Sequence, residues 1–177
     1  MKSSDGFIKR GFSVVLFVLF LSSYGCGGGR TMVMNRPDNS VKAKSVSISI
    51  DNATVDVPEY VTKYFDKYLA ALLYEGDPNS DVKIVSFHKG PELKLIYKFI
   101  QYEPGERVAR YFGAGMGSGE GSLTVEATYY DNNNNKICTI QAFGNVTAGF
   151  FGGSFDIAIE NTAHEVANFT IKNFKGF

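Results

Sequence analysis

Cysteine, histidine and tryptophan are scarce in this sequence of 177 residues, which contains two cysteines, two histidines and no tryptophan. Two cysteines, Cys26 and Cys138, are too few for the disulfide framework of small exported domains, so the fold must depend on its apolar core. Cys138 lies in an apolar segment and is expected to be a small buried side chain. Long hydrophobic runs are absent too. The most apolar run, residues 12–21, has about 10 residues, whereas a helix that crosses a bilayer needs roughly 20.

The N-terminal segment is the most informative part of the sequence, because the apolar run follows Lys9 and Arg10 and precedes Cys26. Basic residues, an apolar stretch and a cleavage region form an export signal, which predicts that residues 1–25 are removed. The cysteine at this point resembles the lipobox of bacterial lipoproteins, in which the cysteine becomes the first mature residue and carries lipid. The lipobox prefers leucine three residues before the cysteine, where this sequence has Ser23. An ordinary signal peptide without lipidation is the alternative.

The charge balance argues against a nucleic-acid partner. The whole chain carries 18 basic and 18 acidic side chains. Removal of residues 1–25 takes away three basic residues and one acidic residue, and it leaves a net charge near −2. Nucleic-acid binding needs clustered lysine and arginine, which this sequence does not show. We therefore expect no nucleic-acid partner.

The mature chain is predicted to contain a flexible tether followed by one domain. Residues 26–43 are rich in glycine and turn-forming residues and lack periodicity, so we expect a tether that holds the domain off the membrane. Residues 44–177 are long enough to form a single domain with its own core.

The order of the predicted elements indicates an α+β fold. Alternation of apolar and polar residues predicts strands over residues 44–50, 82–87, 93–102, 122–130 and 136–146. Apolar residues at three- and four-residue steps predict a helix from the capping residue Asp56 to Gly76, and a closing helix over residues 154–173. The asparagine-rich segment 131–135 predicts a hairpin turn. These elements predict a two-layer sandwich, a mainly antiparallel sheet with two helices packed on one face.

Another unusual segment has glycine at every second position from Gly113 to Gly121. It does not fit a phosphate-binding loop, because the glycine spacing is wrong and a strand follows it instead of a helix. Alternate glycines predict an extended segment with one bare face, which permits close approach of a partner. We expect a contact surface at Gly115, Gly117 and Gly119. A flexible or bulged lead-in to the next strand is the alternative.

Catalytic and metal-binding patterns are also missing from the sequence. Glu160 and His164 lie four residues apart on the closing helix, but two ligands are fewer than the three or four that a zinc site takes. A solvent-exposed ion pair is the simpler interpretation. Ser118 lies between two glycines but lacks the strand-turn-helix setting of a nucleophile elbow. We therefore predict no catalytic residues, no metal and no cofactor.

The second half of the chain resembles a known family. The hexapeptide Arg-Tyr-Phe-Gly-Ala-Gly at 110–115, the turn at Asp131, the pair Gly152-Gly153 and the terminal helix are similar to the bacterial domain-of-unknown-function family 4410. The resemblance covers residues 44–174 and rests mainly on 107–170. The asparagine-rich turn and the longer glycine run differ from the family pattern. The resemblance implies an envelope lipoprotein of this fold and supplies no catalytic residue.

Two classes of function are compatible with these features. The first is a noncatalytic lipoprotein of the cell envelope, anchored at Cys26 in the outer membrane, with its domain in the periplasm as a binding or assembly module. Its partners would be the membrane, through the lipid, and an envelope protein or a second copy. The second is a lipid-anchored periplasmic hydrolase or ligand-processing enzyme. A pocket with converging polar groups of perturbed pKa would favour the enzyme.

Overall fold

A computed structural model of the protein describes residues 27–35, 37, 41–51, 54–81, 85–105, 121–146 and 154–176. Within these residues the chain forms six strands and two helices. In chain order they are β1 (Gly28–Val33), β2 (Ser45–Ile50), α1 (Glu59–Tyr74), β3 (His88–Lys89), β4 (Leu93–Glu103), β5 (Gly121–Asp131), β6 (Lys136–Val146) and α2 (Asp156–Phe174).

The strands form one sheet in the order β1-β6-β5-β4-β2-β3. The pairs β1/β6, β6/β5 and β5/β4 are antiparallel, whereas β2 runs parallel to both β4 and β3. The parallel pairing arises because α1 lies between β2 and β4 in the chain and provides the crossover connection. Both helices pack on the same face of the sheet and against each other, which confirms the predicted α+β sandwich.

Helix α1 begins later than its sequence signals suggest. Asp56 was expected to cap the helix, but Pro58 occupies the cap position and makes no side-chain hydrogen bond there. The prediction is wrong because the capping residue directly precedes the first helical residue. The helix starts at Glu59, so Asp56 lies two residues before the cap position, and the proline there has no side-chain acceptor. The other end is as predicted, since Gly76 follows the helix with a positive φ of 94°. That backbone conformation favours glycine.

The core lies between the two helices and the covered face of the sheet. The Phe65 ring of α1 packs 4.8 Å from the Tyr97 ring and 5.5 Å from the Phe99 ring of β4. The three- and four-residue periodicity predicted for α2 is confirmed, because the five residues that follow it are buried: Ile159, Ala163, Val166, Thr170 and Phe174. On α1 five residues at the predicted three- and four-residue steps are buried, whereas Tyr64 is half-buried and Tyr60 is 53% exposed. The buried five are Val61, Phe65, Tyr68, Leu69 and Leu72.

The predicted tether contains part of the fold. Gly28–Val33 forms strand β1 and pairs along its whole length with β6. The segment 26–43 is therefore not a free linker as predicted. The prediction failed because glycine was interpreted as a source of flexibility, whereas here it allows tight packing.

Close approach to α2 explains two of these glycines. A β-carbon on Gly27 would lie 2.8 Å from the Ile157 side chain, and one on Gly29 would lie 2.8 Å from Glu165. Larger residues at these positions would push β1 away from α2. The two glycines therefore allow the edge strand β1 to pack closely against α2.

The β5–β6 hairpin matches its prediction. Asn134 adopts a positive φ of 65°, and the Asp131 carboxylate accepts hydrogen bonds from the backbone N–H groups of Asn133 and Asn135, each at 2.8 Å. Residues 82–84 of the strand predicted at 82–87 lie outside the described residues. The observed short strand β3 begins after it, at His88.

Candidate functional site

The lipidation and contact residues predicted from the sequence lie outside the part of the chain that the structure describes. These are the lipidation residue Cys26 and the glycines Gly115, Gly117 and Gly119. The described residues that flank Cys26 and the glycine run nevertheless show where these two parts of the chain join the fold. Gly27 directly follows Cys26, and the glycine run belongs to the segment between Glu103, at the end of β4, and Gly121, at the start of β5.

Strand β1 is an open edge of the sheet. Among the described strands it pairs with β6 on one side only, so its other side presents backbone N–H and C=O groups that other strands can pair with. Three consecutive apolar side chains at its end are exposed: Met32 by 57%, Val33 by 44% and Met34 by 51%. An open edge with exposed apolar side chains is typical of a contact surface.

A shallow cavity of about 470 Å³ lies beside this edge on the face of the sheet opposite the helices. The Arg30 guanidinium lies 4.7 Å from the centroid of the Phe143 ring, a cation–π contact that holds the charge over the cavity. The cavity is lined by Arg30, Thr31, Met32, Gln101, Thr124, Gln141 and Phe143. We call the set Arg30, Met32, Val33, Met34 and Phe143 the β1 site.

The positive charge of the β1 site is not neutralised within the described part of the chain. None of the described carboxylates lies within salt-bridge distance of Arg30. Glu126 lies on β5, the second strand in from β1. It pairs with Lys98 at 2.9 Å and accepts a hydrogen bond from Gln141 at 3.3 Å. The Lys98 ammonium lowers the pKa of Glu126. The site therefore offers backbone hydrogen bonds, apolar contacts and one cation to a partner.

The sequence missed the β1 site because all of its residues except Phe143 fell within the supposed tether. A six-residue strand is too short for a periodic pattern to stand out beside three glycines. The one local signal was the apolar sequence Met32-Val33-Met34 after Arg30.

The two helices are joined by a ladder of polar side chains. The Tyr64 hydroxyl donates a hydrogen bond to Glu160 at 2.5 Å, and the Tyr68 hydroxyl lies 3.1 Å from His164 Nε2. Both pairs join residues 96 positions apart, so the helices run in the same direction. The predicted ion pair between Glu160 and His164 does not form, because each residue bonds a tyrosine on α1 instead.

The lower end of this ladder borders a second cavity, of about 330 Å³. His164 lies 4.0 Å from an Asp77 carboxylate oxygen, and Asn79 donates a hydrogen bond of 2.7 Å to the Tyr68 hydroxyl. Within the described ranges, no group of three or more His, Cys, Asp or Glu side chains is arranged to hold a metal ion. Cys138 is 1% exposed, and burial raises the pKa of its thiol to about 12.

We expect alkaline pH to weaken the contact between the helices. Burial is the main cause that raises the pKa of Tyr68 to about 12, and the charges of Glu160 and Asp77 add to it. Because the folded pKa lies above the unfolded value of 10.0, the protonated Tyr68 hydroxyl stabilises the folded state. This contribution is complete below pH 10 and is lost as the pH rises towards 12. Denaturant unfolding followed from about pH 9 to pH 12 should show this loss, and Tyr68→Phe should reduce it. An identical pH dependence in the variant would contradict the assignment.

Comparisons with known proteins give structural neighbours only. No protein-family model and no curated protein matches the chain. Among solved structures, the PelC dodecamer from Paraburkholderia phytofirmans is 13% identical, with a TM-score of 0.46, and the match covers 85% of this chain and all of that one. A point variant of that dodecamer is 16% identical with a TM-score of 0.43, covering 80% of this chain and 95% of the other. Both TM-scores are below 0.5, so the similarity is too weak to indicate a function or an assembly for this chain.

Among the described residues, neither helix is long and apolar enough to cross a bilayer.

Proposed function

We propose that this chain is a noncatalytic lipoprotein of the bacterial cell envelope, anchored through lipid on Cys26, whose periplasmic domain is a binding or assembly module. The basic residues, apolar run and cysteine of the N-terminus support the anchor. Gly27 follows the cysteine, where an aspartate would mark retention in the inner membrane, and this favours the inner leaflet of the outer membrane. Membership of family 4410 is part of the same proposal.

The β1 site is the observation that carries the assembly role. Its open strand edge, its exposed Met32, Val33 and Met34, and the unneutralised Arg30 together form a surface that the described part of the fold leaves uncovered. We propose that a second copy of the chain covers it. Lipid anchors confine all copies to one plane and raise their effective concentration, so a modest strand-edge contact suffices. The glycine-run surface at Gly115, Gly117 and Gly119 is proposed as an additional contact.

The anchor is tested by Cys26→Ser in full-length protein expressed at its native level. We expect the wild-type protein in the membrane fraction, with a mature mass that includes acyl chains, because several chains together bind durably. The variant should appear in the soluble periplasmic fraction without the added mass. Unchanged fractionation and mass would refute lipidation at this residue.

The assembly role is tested by Met32→Glu in the lipidated protein. A carboxylate introduced at this edge would place a charged, hydrated group in an apolar contact, so we expect about a tenfold loss of association, near 1.4 kcal/mol. Chemical cross-linking in membranes and sedimentation in mild detergent would measure it. Val85→Glu is the matched control, since Val85 is similarly exposed at 51% but lies outside the β1 site. Equal cross-linking of both variants would contradict self-association at β1, and capture of another envelope protein lost only in Met32→Glu would identify a different occupant.

A further inference from the structure

At one end of the sheet the termini of four strands lie side by side. Strand β1 begins there, two residues after Cys26 in the sequence. The pairing places Gly28 opposite Asn145, and it places Ser122 opposite both Asn145 and Glu103. These four residues therefore form one row across β1, β6, β5 and β4. We call this row the anchor end. The β5–β6 turn, with Asn133, lies at the opposite end of the sheet.

The chain between the lipid and this row is very short. Two residue steps separate Cys26 from Gly28, and they span at most about 7 Å. Gly27 is held against the fold, because a β-carbon there would lie 2.7 Å from the Asn145 carbonyl oxygen. The Gly28 N–H also donates a hydrogen bond of 2.8 Å to the Asn145 side chain. The chain is therefore fixed to the anchor end from Gly27 onward, one residue after Cys26.

We propose that the anchor end itself rests on the phospholipid headgroups and that β1 rises from the membrane surface. This inference rests on the proposed lipidation of Cys26. The headgroup layer is only ~5–8 Å deep on each side of the hydrocarbon. A residue within about 7 Å of the acylated cysteine must therefore lie in that layer or at its surface.

The side chains near the anchor end fit a headgroup layer. Tyr60, at the start of α1, exposes 53% of its surface, and it lies close enough to Tyr102, near the end of β4, to help raise the pKa of that hydroxyl. The Phe155 ring, just before α2, packs 5.3 Å from the Tyr102 ring. Tyrosine suits the boundary between water and lipid because its ring is apolar and its hydroxyl is polar.

This orientation restricts how copies assemble at the β1 site. Antiparallel pairing of two β1 strands would direct the second anchor away from the membrane. Copies in one leaflet must instead be related by an axis along the membrane normal, which leaves β1 in the same direction in every copy.

The orientation is tested with full-length lipidated protein on phosphatidylcholine vesicles that contain a lipid with a nitroxide on its headgroup. A bimane fluorophore is attached at Glu59→Cys or Glu103→Cys near the anchor end, or at Asn133→Cys in the far turn. All three wild-type side chains are exposed. The native thiols do not compete, because Cys26 carries lipid and Cys138 is 1% exposed. The far turn lies about 35 Å away along β5, beyond the reach of the quencher.

We expect the two anchor-end probes to lose about half of their fluorescence, because they lie at headgroup depth, and the probe at 133 to lose none. A Gly-Ser spacer of about eight residues between Cys26 and Gly27, with ~16 Å of mean reach, should abolish the difference without releasing the protein. Equal quenching of all three probes in vesicle-bound protein would overturn the orientation alone. Failure of the wild-type protein to float with vesicles, or flotation of Cys26→Ser, would overturn the proposed anchor instead.

Discussion

Gly144→Ala is expected to lower the free energy of unfolding by about 3 kcal/mol, near the upper end of the usual cost of overpacking. Gly144 lies on β6 where α2 crosses the sheet. A β-carbon there would lie 2.6 Å from the Thr162 backbone nitrogen, and it would also overlap the Ala158 carbonyl oxygen and the Thr162 hydroxyl. Two of these three atoms belong to the helix backbone, which cannot rotate out of the way. The helix as a whole must shift from the sheet.

The matched control for this prediction is Gly28→Ala. A β-carbon at Gly28 would meet only the Asn145 side-chain oxygen, at 3.5 Å, which is an ordinary contact. We expect this variant to stay within about 0.5 kcal/mol of the wild type. Chemical denaturation of the soluble mature chain, beginning at Gly27, measures both. Equal stability of the two variants would show that α2 does not pack as closely as described.

Phe65→Ala is expected to cost about 3–5 kcal/mol, the range found for truncation of buried aromatic side chains. The Phe65 side chain is fully buried between α1 and the sheet, where it contacts two aromatic rings of β4. Its removal leaves a cavity between rigid elements that cannot close. The same denaturation experiment measures the loss, and a loss below about 1 kcal/mol would contradict this position in the core.

Two tyrosine variants on the same helix provide the controls. Tyr60→Phe removes a hydroxyl from a half-exposed side chain, and we expect little change. Tyr68→Phe should cost about 1 kcal/mol, because the Tyr68 hydroxyl hydrogen-bonds with His164 and Asn79 in a side chain that is only 7% exposed. Both tyrosines follow the three- and four-residue steps of the predicted helix, so the sequence does not distinguish them. The structure separates them, because only one of the two hydroxyls lies in the seam between the helices.

The elements that could be predicted were those with long periodic patterns. Helix α2 was predictable because its apolar residues recur along 19 residues, and the hairpin was predictable because Asn134 tolerates a positive φ. The start of α1 was not, since Asp56 and Pro58 both resemble start signals and only the backbone conformation decides between them. Strand β3 has two residues, too few for any pattern.

The candidate sites also differ in whether the sequence alone could predict them. The residue chemistry near Cys26 is local in the chain, so the sequence alone predicts an exported, lipid-bearing N-terminus. The β1 site depends on contacts between residues more than 100 positions apart, as in the pairing of Arg30 with Phe143. No local pattern encodes such a pairing.

The sequence by itself determined the fold class, the closing helix, the hairpin and the burial of Cys138, because each follows from periodicity or turn chemistry over a few residues. Only the tertiary structure decided that the glycines after Cys26 belong to an edge strand, that the two helices run parallel, and that Tyr68 bonds His164. The physical reason is that glycine permits both flexibility and close packing, and the sequence alone does not say which. The presence of Ile157 and Glu165 beside Gly27 and Gly29 resolves that choice in favour of packing.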